Sequence, residues 1–289
     1  MRAITSLGGG FLSFVLIAGH GGGSGEPVLP PASSAEGLYR GAAGGRAVIG
    51  LVLDDGTYYF LYSLVGNPGV IAGGLHGSSV ASAGAFSTGN ARDFNLEGLG
   101  ELSATVSAEY VARRSIGGTV SYSAGGSTVF SVTYDSAYEA PPSLVALAGT
   151  FAGEVARPAG ASPGFIFGAA PDGLPGPGGF WGSAEKATVT VSPTGAVSGA
   201  GTGGCTVSGS ASPRARGNVF DIVLAVGDAP CPLANQTLSG IMFFDVAANR
   251  LYAAAPNAAR TEGILFVGAR QESRARGEIW ERTYMAGWK

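Results

Sequence analysis

The chain has 289 residues, 50 of them glycine; 45% are hydrophobic, only 13% are charged, and the net charge is −3. That length holds one large or two ordinary domains, and the hydrophobic share excludes wholesale disorder. The glycines follow no G-X-Y period, which excludes collagen, and no basic block precedes the last residues, so nucleic acid is not an expected partner.

Arg2 precedes an apolar run from Phe11 to Ala18, too short to span a membrane and suited to a secretory signal. Residues 1–20 therefore read as a signal peptide. Its end, Leu16-Ile17-Ala18-Gly19, resembles the lipobox of bacterial lipoproteins, but His20 stands where the lipidated cysteine would be. An imidazole cannot form the thioether. A lost anchor, an altered sequence and a plain secretory cut near Gly19 or Gly21 all fit. Residues 21–35 are rich in Gly, Ser and Pro and read as a tether. The HGGG spelling at His20 is therefore not an oxyanion loop.

Residues 36–142 read as a first β-unit. Residues 47–53 form a strand, Asp54-Asp55-Gly56 a hairpin turn, and residues 57–63 a return strand with aromatic residues on both faces. Further short strands are expected over 70–75, 80–86, 92–97, 104–111, 118–123 and 128–134, with turns at Asn67-Pro68-Gly69 and Gly125-Gly126. Eight or nine strands at this spacing, with no helical period between them, fit a sandwich or barrel. Pro141-Pro142 marks the boundary.

Residues 143–271 repeat the rhythm. Gly149 to Gly153 repeats the aromatic-between-glycines opening, residues 165–173 parallel 49–56, and residues 174–183 read as an expanded loop. Strands follow at 187–192, along 195–227, at 240–252 as a hairpin, and at 263–268. Gly69-Val70-Ile71-Ala72-Gly73 recurs 126 residues later as Gly195-Ala196-Val197-Ser198-Gly199. Asp93 recurs 128 residues later as Asp221, and the Gly118 strand 122 residues later at Gly240. The fold expected is all-β: two tandem antiparallel up-and-down barrels or half-barrels of about eight strands, from an internal duplication. Residues 272–289 read as a charged tail.

Cys205 and Cys231 are the only cysteines. An even pair in an exported chain reads as a disulfide, worth about 3 kcal/mol by loop closure. The first unit carries Ser79 where Cys205 aligns, so the second unit is expected to be the more rigid.

The sequence offers little chemistry. Gly160-Ala161-Ser162-Pro163-Gly164 spells a nucleophile elbow, but Pro163 has no N–H to give an oxyanion. Gly199 to Gly204 spells a dinucleotide fingerprint, but a strand follows where a helix is needed. His76, beside a turn, reads as a solvent-facing or turn histidine. No catalytic residue, cofactor or metal site is expected. Asp93 and Asp221 read as solvated carboxylates unless they face inward, where one could orient a ligand.

Signal, tether and glycine-punctuated β-units together resemble the surface lipoproteins of Gram-negative bacteria, in layout the transferrin-binding protein B and factor H-binding protein group. The resemblance implies eight-stranded barrels on a lipid tether, a place in the periplasm or at the outer-membrane surface, and a protein partner; it transfers no binding residue. His20 departs from it, leaving membrane contact only through a lost anchor. Two functions are expected: a non-enzymatic surface-interaction module, or a lipocalin-like carrier of an apolar ligand lined by Tyr58, Phe60, Tyr62, Tyr122 and Phe130, against the plainer reading that these aromatics fill a barrel core. An esterase or glycosidase is a third reading, without a motif.

Overall fold

A computed structural model describes residues 33–156 and 185–271. The signal and lipobox, most of the tether, the 160–164 motif, the 165–173 parallel, the 174–183 loop and the 272–289 tail lie outside the described residues.

The first unit contains β1 (Gly37–Ala43), β2 (Arg46–Val52), β3 (Thr57–Leu64), β4 (Asn67–Ser78), β5 (Val80–Ser82), β6 (Ala85–Asn95), β7 (Gly100–Val111), β8 (Ser115–Tyr122) and β9 (Ser127–Asp135). Each strand is antiparallel to its neighbours; β4 pairs with β6 and β9 returns to β1, closing eight of the nine strands into a barrel. The short β5 pairs only with the start of β6. The second unit contains β10 (Gly149–Ala156), β11 (Glu185–Val191), β12 (Ala196–Gly201), β13 (Thr206–Pro213), β14 (Phe220–Val226), β15 (Thr237–Asp245), β16 (Arg250–Pro256) and β17 (Gly263–Arg270), closed by β10 against β17. Two closed eight-stranded antiparallel barrels result.

Period-two alternation builds both. In β14, Phe220, Ile222, Leu224 and Val226 are buried while the residues between them are exposed. At the closing seam Gly153 lies opposite Gly268, and a side chain on Gly153 would run into the Gly268 backbone.

The same end of each barrel is stoppered by the residues that precede its first strand. In the first, Tyr39 donates to the Ala35 carbonyl at 2.8 Å and Tyr110 to the Ser33 carbonyl at 2.6 Å. In the second, a single helical turn, α1 (Leu144–Leu147), buries Leu147 in the core, and Arg270 lies over the rings of Phe151 and Phe244. Neither this turn nor the 3-10 turn Ser136–Glu139 was expected. One turn is too short to show a helical period.

Cys205 and Cys231 form a disulfide at the opposite end of the second barrel. There the connection between β14 and β15 runs from 227 to 236 and tucks Cys231 and Leu233 into the core. The corresponding connection in the first barrel, between β6 and β7, is only residues 96–99 and covers far less.

The barrels share a buried junction. Leu38 and Leu51 cluster with Ile241 and Phe243, and Leu61 and Ile71 with Leu265. Ion pairs cross it: Arg40 with Asp245, Arg214 with Asp54, and Arg216 with Glu36, whose carboxyl is fully buried. This explains the two aromatic faces of β3: Tyr58, Phe60 and Tyr62 belong to the first barrel's core, while Tyr59 packs into the junction.

The repeat needs one correction. The sequence offsets set β4 against β12 and β8 against β15, whereas strand order around the barrels matches β4 with β13 and β8 with β16. The match of β6 with β14, and that of the opening strands β1 and β10, follow barrel order. Glycine-bounded apolar strands look alike, so composition alone does not fix which one is which.

Candidate functional site: the interior of the first barrel

The first barrel encloses a cavity of about 370 Å³, reaching from Phe86 and Val106 to the exposed residues Leu99, Ala124 and Gly125. The space inside the second barrel is about 110 Å³, lined almost wholly by apolar side chains. The difference follows from the connections. Leu233 and Cys231 tuck into the mouth of the second barrel, and among the described residues no connection of that length covers the first.

Period-two alternation places Phe60 and Tyr62 of β3 and Tyr122 at the end of β8 on this cavity, together with Phe130 of β9. Four of the five aromatic residues expected to line a ligand thus meet there. Tyr58 does not: it lies deeper, fully buried against Phe60 and Phe86, where desolvation raises its phenol to about 12.

Asp93 is the polar centre of the cavity. It is 2% exposed, and it accepts from the Tyr62 hydroxyl at 2.7 Å and the Tyr122 hydroxyl at 2.8 Å. A bulge puts it there. The β6–β7 register shifts between Thr88 and Ala91, so the buried face changes from Phe86 to Ala91, Asp93 and Asn95. Asn90 pins the bulge, accepting from the Ser78 N–H at 3.0 Å and donating to the Ser78 hydroxyl at 2.8 Å. β14 has no bulge against either neighbour, and its Asp221 stays outside, paired with Arg214. The alignment of the two aspartates is legible in sequence. Their opposite orientation is not, because Gly89-Asn90 and Gly217-Asn218 spell alike while only the first pair sits inside a strand as a bulge.

Burial pushes the Asp93 carboxyl above its ordinary value; the two phenol bonds and the more distant Arg46 charge pull down and do not overcome it. The phenols are themselves raised, chiefly by burial and then by Asp93, and stay protonated as donors. Arg46, at the rim, is already engaged: it pairs with Glu97 at 2.8 Å, donates to the Ser63 carbonyl at 3.0 Å, and lies 5.4 Å from the centre of the Tyr62 ring. Asn95 accepts from the Glu97 and Leu99 N–H groups and holds the rim turn.

His76 corrects an expectation. It sits within β4, stacks on Tyr59 at 4.4 Å and bonds the Tyr58 carbonyl through Nδ1 at 3.0 Å, and burial lowers it to about 4. Among the described residues no group of three His, Cys, Asp or Glu side chains could hold a metal ion.

No protein-family model and no curated protein matches the chain. Among solved structures, its two-barrel layout is similar to transferrin-binding protein B from Haemophilus parasuis, at 12% identity and a TM-score of 0.33, covering 79% of this chain and 52% of that one. It is also similar to isotype 1 transferrin-binding protein B from serogroup B Neisseria meningitidis, at 9% identity and a TM-score of 0.30, covering 78% and 66%. An intact transferrin-binding protein B with N and C lobes matches at 12% identity and a TM-score of 0.31, covering 79% and 52%. The chain thus spans about half the length of the first of these. At such values the likeness concerns layout, and no residue role passes across it.

Proposed function

We propose that the chain is an exported, non-enzymatic binding protein whose first barrel takes a small, largely apolar ligand, with the second, narrower barrel as its scaffold. The observation that carries this is the cavity of about 370 Å³, within the range of small-molecule sites, beside a second interior of about 110 Å³. Its lining is of the kind such sites use, apolar and aromatic walls with a few convergent polar groups. Export is supported by the Cys205–Cys231 bond, which suits an oxidising compartment. On this reading, residues 36–142 are the ligand unit and 143–271 the stapled one.

A surface-interaction role with a protein partner is the second reading. The observation favouring it is the junction, whose apolar clusters and ion pairs fix both barrels as one platform for a partner to engage.

The test is titration of the full chain with the neutral fluorophore N-phenyl-1-naphthylamine. Saturable enhancement, lost when Thr128 at the cavity rim becomes Trp in a variant of unchanged circular dichroism, is expected. Absent binding, or binding that Thr128→Trp leaves intact, would overturn the first reading.

A further inference from the structure

Resting on the reading of the first barrel as a ligand site, we propose that its ligand carries a protonated-amine head on an apolar body, with Asp93 receiving the head. A carboxylate offers about four lone-pair sites, and the Tyr62 and Tyr122 hydroxyls occupy one on each oxygen of Asp93. Both phenols are donors, so the acceptor capacity left on Asp93 calls for a further donor, and Asp93 lines the cavity. It has no ion-pair partner among the described residues; the nearest compensation, Arg46, is pinned by Glu97, the Ser63 carbonyl and the Tyr62 ring.

The charge balance points the same way. Arg46 contributes one positive charge at this end of the cavity, against one negative charge each from Asp93 and Glu97. A cationic head completes that balance, whereas a carboxylate head would meet Asp93 with Arg46 already committed. The Tyr122 ring, which also lines the cavity, offers an ammonium further favourable contact. Beyond the head, Phe60, Val106, Val120 and Phe130 supply an apolar wall for the body. A buried carboxylate with an unmatched charge costs stability, and local rules are broken in this way at functional sites.

The experiment is displacement of N-phenyl-1-naphthylamine from the full chain by decylamine, decanol, decanoate and N-decylacetamide at pH 7. The amine should displace at least about tenfold better than the other three, and Asp93→Asn should erase that preference. The acetamide has the same body without the charge, so it reads the preference in the unaltered chain even where the variant does not fold. Probe binding with amine and acetamide equal, or with decanoate preferred, would overturn the amine head and leave the ligand site standing. No probe binding at all would overturn both.

Discussion

The Tyr62 hydroxyl lies 2.7 Å from Asp93 Oδ1, joining β3 to β6 across 31 residues of sequence inside a mainly apolar barrel. Burial raises the Asp93 carboxyl despite this bond and its partner from Tyr122. A carboxyl raised on folding costs stability above its folded pKa, and the cost fades as the pH falls to the unfolded value. Asp93→Asn keeps the shape and removes the charge. Its melting point at pH 7 should exceed that of the parent, and the gap should close toward pH 3. A variant that melts lower at pH 7 would contradict this.

His76 titrates in the opposite sense. Its folded pKa of about 4 lies below the ordinary 6.5, so its neutral form is favoured by folding. The contribution is present above pH 6.5 and is lost as the pH falls toward 4. At about 1.4 kcal/mol per pKa unit, and discounted for the partial exposure of the ring, the loss is about 2 kcal/mol. His76→Gln should flatten the urea-midpoint profile between pH 6.5 and 4 relative to the parent. Parallel profiles would refute the assignment.

The disulfide spans a sequence separation of 26 and holds the loop that fills the second barrel's mouth. Replacing both cysteines by serine should lower stability by about 3 kcal/mol. Amide exchange in β13 and β14 should accelerate more than in β7 and β8. Two reactive thiols in denatured, unreduced protein would remove the premise.

Gly217 has φ of +73°, and the Tyr138 ring lies where its Cβ would stand. Tyr138 in turn donates to the buried Glu36 at 3.1 Å. Gly217→Ala should cost about 2–4 kcal/mol through backbone strain and overpacking at the junction. A change under about 0.5 kcal/mol, the range of an ordinary surface substitution, would show that the junction yields there.

Much of this architecture was legible in the sequence because period-two alternation and glycine turns are local signals. Residues 57–63 and 128–134 read as strands and are strands. The aromatic lining of the first barrel followed from the same alternation, with Tyr58 alone falling deeper than the cavity. Asp93 was legible as a recurring aspartate, but its inward turn depends on the bulge at Gly89 and Asn90. The 80–86 and 92–97 strands fused differently for a related reason: Ala83 and Gly84 take positive φ and form a tight turn, after which β6 runs unbroken through the bulge. The difference between the wider and the narrower interior lies in a long-range fact, the 227–236 connection folding back over the second barrel's mouth, and no local pattern carries it.

The most direct test of the central claim is methyl NMR of the full chain, labelled at Val, Leu and Met, titrated with decylamine. Saturable shift changes are expected at Leu75, Val106 and Val120, which line the first cavity, with Leu224 and Met242 of the second barrel unmoved. Changes centred on Leu224 and Met242, or none at saturating amine, would contradict it.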